Sequence, residues 1–174
     1  MTTVLFPGTF DPIHYGHINI AKRAADLFNE VVVAVYSKEQ NNILFSPPDR
    51  LALAEEAFKD IGNISVTTYQ GLTVEFAKKI GAHAIVRGLR VFSDFEYEFR
   101  MALANNRLAP EIDVIALITT EEHTFLSSTT VREIAALGGD VSSMVPPYVK
   151  EALEKRFNIL GDDQNVVHLT SLRD

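Results

Sequence analysis

Apolar positions along this chain alternate between short unbroken runs and longer stretches at helical spacing. "TVLF" (Thr3 to Phe6) is a brief run of the kind a buried strand makes. After it, Ile18, Ala21, Ala25 and Phe28, joined by Ile20, Ala24 and Leu27, form a broad apolar stripe with the period of a helix. "EVVVAVY" (Glu30 to Tyr36) is β-branched and apolar on both faces, which suits a strand inside a parallel sheet. "SKEQNNILF" is polar, lacks a period and predicts a loop, whereas "SPPDRLALAEEAF" predicts a helix with Ser46 as cap and proline in its first turn. "ISVTTY" reads as a third strand, and "LTVEFAKKIG" as a helix stopped by Gly81. "AHAIVRG" gives a fourth strand, "SDFEYEFRMALANNRL" a long helix ending before Pro110, and "IDVIALIT" a fifth strand.

This βαβαβ order predicts an α/β fold, a single-domain, Rossmann-like, doubly wound parallel sheet with helices on both faces, because parallel neighbours need crossover connections. No repeat, low-complexity run or linker interrupts it, so one domain is expected over 1–157. The tail 158–174, within "NILGDDQNVVHLTSLRD", loses clear periodicity.

Composition narrows the class. The chain has 174 residues, 47% hydrophobic and 22% charged, enough for one well-filled core. It has no cysteine, which excludes disulfides, thiolate metal sites and a cysteine nucleophile. The opening "MTTVLFPG" lacks the basic segment and apolar run of a secretory signal, and "VVVAVY" is too short to cross a membrane, so a cytoplasmic protein is expected. A formal net charge of −7 argues against a broad nucleic-acid-binding surface, though a local basic pocket fits it.

In open α/β sheets, ligands bind beyond the carboxyl ends of the strands. After the first strand stand Gly8, Thr9, Phe10, Asp11 and Pro12, then His14 and His17. After the second lies the polar loop with Lys38, after the third Gly71-Leu72-Thr73, and after the fourth Arg87-Gly88-Leu89-Arg90. "TTEEHTFLSSTTVRE" follows the fifth. Two arginines, two histidines, glycines and helix-start hydroxyls make an anion-binding inventory, suited above all to phosphates. Taken singly, Gly8 and Pro12 are ordinary turn residues, and Arg87 and Arg90 have surface pairing partners in Asp94 and Glu98. Their shared location favours the cleft. His14 and His17 lack a third ligand, so no protein-held metal is expected. Ser128, Thr129 and Thr130 are expected both to cap the helix of "VREIAAL", with Glu133 completing a capping box, and to bind ligand.

"GTFDPIHYGH" together with "SSTTVRE" resembles the nucleotidyltransferase superfamily, and "RGLRVFSDFEYEFRMALANN" narrows the resemblance to the bacterial phosphopantetheine adenylyltransferases. The similarity runs from about Thr3 to about Phe157. It implies transfer of AMP from ATP to 4′-phosphopantetheine, giving 3′-dephospho-coenzyme A and pyrophosphate, the penultimate reaction of coenzyme A synthesis, with no covalent intermediate. The acceptor phosphate is already ionised near neutral pH, so catalysis would come from in-line positioning and from charge neutralisation at the α-phosphate.

By the same resemblance, His17 donates to the α-phosphate, Thr9 to both reacting phosphates, and Phe10 offers its backbone and ring edge. Gly8 allows close approach of the nucleotide and Gly16 contact at the helix start; His14 has a supporting phosphate role, and Asp11 organises the turn. Gly88, Leu89, Arg90 and Glu98 face ATP, as do His123, Thr124, Phe125, Leu126, Ser127, Ser128 and Thr129. Thr73, Arg87, Asn105 and Glu133 face phosphopantetheine. Mg²⁺ would arrive with ATP, held mainly by phosphates and water, and the family typically forms a homohexamer. Its loop lysine, four residues ahead of Phe45, is Asn41 here, which brings no charge; Lys38 is the only cation in that loop and is expected to replace it. The competing readings are another nucleotidyltransferase, acting on nicotinamide mononucleotide or a cytidylyl acceptor, and a non-catalytic nucleotide-binding module.

Overall fold

A computed structural model of the chain describes residues 1–37 and 42–161. Five parallel strands form one sheet in the order β3-β2-β1-β4-β5. They are β1 (Thr3–Gly8), β2 (Glu30–Tyr36), β3 (Ile64–Tyr69), β4 (Ala84–Leu89) and β5 (Asp113–Ile118). The crossovers are α1 (Tyr15–Leu27), α2 (Pro47–Phe58), α3 (Thr73–Lys79) and α4 (Phe92–Leu108), followed by a 3₁₀ turn (Glu121–His123), α5 (Ser128–Ala136) and α6 (Pro147–Leu160).

The two-sided apolarity of the central strands has its expected consequence. Val4, Phe6, Val31, Val33, Val35, Ala84 and Val86 face one cluster with side chains of α1, α2, α5 and α6. Leu5, Val32, Ala34 and Ile85, the alternate residues, face a second cluster with Val74 and Ala77 of α3. Local signals behave as the sequence indicated: Ser46 Oγ accepts the Asp49 N–H at the start of α2, and Gly81, with φ of 68°, follows the end of α3.

Two elements show features the sequence left unspecified. The chain forms an amphipathic α6 with Val149 and Leu153 fully buried, and this helix continues beyond Phe157 to Leu160, both of which pack on the core. In contrast, α4 has no buried residue, and its Phe92, Phe95 and Phe99 rings stand in a row on the surface.

The strand order reverses at β1, whose neighbours are β2 and β4. With β2, β1 pairs along its whole length, from Thr3 opposite Glu30 to Gly8 opposite Val35. With β4 it pairs only at Val4–Ala84 and Leu5–Ile85. The carboxyl ends of β1 and β4 thus part, and a crevice opens between them at the switch point of the sheet.

Candidate active site

A cavity of about 630 Å³ occupies that crevice. Thr9, Phe10, Gly16 and His17 line it from the turn after β1 and the start of α1. Arg87, Gly88, Arg90 and Glu98 line it from β4 and α4, and Thr124, Phe125, Ser127 and Thr129 from the approach to α5. Those twelve positions were all expected from the sequence. Tyr97, Ser93 and Thr119 also line it and were not.

Two histidines start α1 by capping one another. His14 Nδ1 accepts the N–H groups of Gly16 and His17 at 3.1 and 3.4 Å, and His17 Nδ1 accepts the His14 N–H at 3.3 Å. A backbone N–H only donates, so each Nδ1 is the lone-pair nitrogen and each neutral ring carries its proton on Nε2. The rings stack with centroids 3.7 Å apart. Burial first, then the Arg90 and Arg87 guanidiniums, lower the His17 pKa to about 3, and burial with His17 holds His14 well below its ordinary value. His17 is consequently a neutral Nε2–H donor, and His14, with its Nδ1 committed to the cap, sets that donor's orientation. Gly16 has a structural reason as well: a Cβ there would stand 2.9 Å from His14 Cε1.

This arrangement has a consequence for stability. Below about pH 6.5 the unfolded chain protonates these histidines while the folded one does not. The unfolded state then binds more protons, so stability falls as pH drops through that window toward the folded-state value of about 3. The urea midpoint is expected to fall between pH 6.5 and 5, and the His17→Asn protein to show a shallower slope. Identical slopes would mean that His17 protonates in the folded protein. Asp11, whose carboxyl burial pushes up, acts in the opposite direction and is common to both proteins.

The arginines serve the cleft and their carboxylate partners together. Arg87 makes a bidentate contact with Glu98, Nε at 2.9 Å and Nη2 at 2.7 Å, and donates to the Pro7 carbonyl at 3.0 Å. Arg90 Nε lies 3.1 Å from Asp94 Oδ2, and its Nη1 donates to the Leu126 carbonyl at 2.6 Å. Glu98, expected to face ATP, is thus engaged with a residue expected to face the acceptor.

Several expected positions stand outside the cavity wall. Leu126 is fully buried and contributes its carbonyl to Arg90; Ser128 is buried and donates to the Pro12 carbonyl at 2.9 Å. His123 Nδ1 is 2.8 Å from Thr120 Oγ1, and Leu89 accepts the Thr119 N–H through its carbonyl at 2.7 Å. Thr73 Oγ1 is 3.1 Å from the Tyr69 hydroxyl, Asn105 lies on α4, and Glu133 is exposed on α5. The cap of α5 is Ser127, whose Oγ accepts the Thr130 N–H at 3.0 Å, so the capping box expected with Glu133 does not form: Glu133 lies a turn too far along. Phe10 is buried to 2% exposure against Phe6 and His17, which leaves its backbone rather than its ring for a ligand. Gly8 makes room for that ring, since a Cβ there would meet Phe10 Cζ at 2.9 Å. Lys38 and Asn41 lie outside the described residues.

Asp11 organises more than its own turn. Its carboxylate accepts the Leu44 and Phe45 N–H groups at 2.7 and 2.9 Å, and the buried Arg132 donates to its backbone carbonyl and approaches Oδ2 at 3.4 Å. Neither Arg132 nor Arg50 was among the positions expected from the sequence. Arg50 was detectable, because with Ala54 and Phe58 it continues the buried stripe of α2.

Comparison with known proteins finds relatives that match most of the chain. The cytidylyltransferase-like family model matches residues 5–134. The phosphopantetheine adenylyltransferase of Desulfitobacterium hafniense strain Y51 is 44% identical over 163 residues, 94% of this chain and 100% of the relative. That of Caldanaerobacter subterraneus subsp. tengcongensis is 48% identical over 157 residues, 90% of this chain and 98% of its own. The chain belongs to the phosphopantetheine adenylyltransferase family. Within that family, the enzyme of Roseiflexus sp. strain RS-1 is 45% identical over 90% of this chain and 98% of the relative. A solved Vibrio parahaemolyticus structure described as a nicotinate-nucleotide adenylyltransferase shares the fold, with a TM-score of 0.67 at 22% identity over 88% of this chain and 99% of that one. Among the described residues of this family member, no helix is long and apolar enough to cross a membrane. Nor does any group of three or more His, Cys, Asp or Glu side chains among them stand ready to hold a metal ion.

Proposed function

We propose that this chain transfers the adenylyl group of ATP to 4′-phosphopantetheine, giving 3′-dephospho-coenzyme A and pyrophosphate in the cytoplasm. The observation that carries the reading is the convergence of Thr9, the neutral His17, Arg87 and Arg90 on one cavity, in a chain that belongs to this family. A phosphate oxygen of the acceptor attacks the α-phosphorus, the bond to the β-phosphate oxygen breaks, and pyrophosphate departs with the electron pair. No side chain here has to remove a proton, because the attacking phosphate is already ionised. The protein's task is to align the two phosphates and to place donors where charge develops. His17 Nε2–H and the Thr9 hydroxyl fit that task.

Mg²⁺ would supply charge neutralisation on the ATP phosphates. Asp94 and Glu98, the cavity's carboxylates, are both held by arginines, which fits an ion carried by phosphates and water rather than by a protein cage. Arg90 and the segment from Thr124 to Thr129 are assigned to ATP. Arg87, Thr73, Asn105, Glu133 and the loop positions Lys38 and Asn41 are assigned to the acceptor. A homohexamer is supported by the uncovered aromatic row of α4, since an exposed apolar patch of that kind marks an interface.

Pyrophosphate release from ATP across a panel of acceptors tests the activity. Release is expected with 4′-phosphopantetheine and not with nicotinamide mononucleotide; the opposite result would overturn the reading. Arg90→Ala is expected to raise KM for ATP and Arg87→Ala that for phosphopantetheine, each by about 10- to 100-fold through loss of a charge-assisted contact. Equal shifts for both substrates in both proteins would refute the assignment.

A further inference from the structure

Arg50 is fully buried, lies off the cavity wall, and has no place in the chemistry above. From α2 its Nη1 donates to the Thr9 carbonyl at 2.6 Å and the Tyr36 carbonyl at 2.8 Å, while Nε donates to the Phe45 carbonyl at 3.2 Å. One guanidinium thus ties the turn after β1 to the end of β2 and the start of α2.

The Thr9 contact falls on a strained peptide. Phe10 has φ of 51°, the only non-glycine residue with positive φ among the described residues. A bulky residue rarely adopts that region. The Thr9–Phe10 peptide is trans, the Asp11–Pro12 bond being the cis one, so the Thr9 carbonyl and the Phe10 N–H point in opposite directions. With the carbonyl held inward on Arg50, the Phe10 N–H faces away from Arg50, on a turn whose Thr9 and Phe10 both line the cavity. That N–H finds no partner among the described residues. A flip of this peptide would return Phe10 to negative φ and aim a carbonyl at the ligand. Relaxation of the strain therefore favours the wrong orientation for binding an anion.

We propose that Arg50 is a positioning residue for phosphate recognition: by holding the Thr9 carbonyl it keeps the Phe10 N–H turned into the cavity, as a donor to a phosphate oxygen. The inference rests on the reading of the cavity as an ATP site. A donor aimed at phosphate affects ligands with a phosphate chain and leaves the nucleoside's own contacts alone, which separates this role from general support of the fold.

Calorimetric dissociation constants for ATP and for adenosine, measured on wild-type and Arg50→Met protein with melting curves alongside, test it. ATP affinity is expected to weaken by about tenfold or more, as for loss of a hydrogen bond to a charged group, while adenosine affinity stays unchanged. Arg50→Lys, which keeps a cation near the carbonyls, should fall between the two. Equal losses for ATP and adenosine, or no loss for either, would overturn the proposal. Should Arg50→Met fail to fold, Arg50→Lys decides by the same comparison: a loss confined to ATP supports the proposal, and equal or absent losses overturn it. Failure of the wild-type protein to bind ATP would instead refute the reading of the site, which distinguishes the two claims.

Discussion

His17→Ala is expected to lower turnover by about 10²–10³ while leaving ATP affinity nearly unchanged, the signature of a donor that matters most in the transition state. The geometry accounts for both halves of that expectation. His17 Nδ1 is committed to the His14 N–H, so the proton sits on Nε2, and a pKa of about 3 keeps the ring neutral throughout the physiological range. A neutral donor adds little to ground-state attraction for a polyanion, where the arginines dominate. In the proposed reaction its hydrogen bond would strengthen as negative charge builds around the α-phosphorus. Turnover measured beside a calorimetric ATP dissociation constant checks this. If affinity fell in step with turnover, His17 would be a binding residue and its neutral state irrelevant to rate. His17→Asn is the sharper companion, since Asn can retain the contact with the His14 N–H and so preserve the start of α1.

Asp11→Ala is expected to destabilise the fold by about 3–5 kcal/mol, the range for removing one partner of a buried ion pair. The side chain is 1% exposed, and burial pushes its carboxyl up, against the Leu44 and Phe45 N–H groups and the Arg132 and Arg50 guanidiniums. Its loss would leave two buried backbone donors without their acceptor and remove the carboxylate that lies 3.4 Å from the guanidinium of the buried Arg132. Urea unfolding gives the difference directly. Asp11→Leu combined with Arg132→Met is expected to be less destabilised than the sum of the single changes, because the two side chains are in direct contact and each single change removes the same interaction. A loss under about 1 kcal/mol would mean that the pair is solvated and contributes as a surface bridge does.

The fold was largely legible because its signals are local and repeated. Val31 to Val35 announce a strand buried on both faces, and Ser46 and Gly81 mark helix limits without help from tertiary structure. Helix α6 went unspecified, although Val149 and Leu153 stand at helical spacing on its buried face. Within the site, strand-end position correctly grouped Thr9, His17, Arg87 and Arg90, because topology alone brings strand ends together. What one sequence could not display were contacts between distant segments: Arg50 with Thr9, Arg132 with Asp11, Ser128 with Pro12. These join residues far apart in the chain, and nothing in their spacing advertises it. The reasons behind Gly8 and Gly16 were hidden likewise, since both depend on where a neighbouring ring folds.

The proposed transfer is a single direct displacement at the α-phosphorus, guided by fixed donors and without a covalent adenylyl-enzyme. Its most direct test is the stereochemical course with ATP made chiral at the α-phosphorus by sulfur substitution, followed by phosphorus NMR of the product formed on 4′-phosphopantetheine. One in-line attack requires inversion of configuration, and inversion is the expected result. Retention would require two successive displacements, hence a covalent intermediate on a side chain, and would contradict the account.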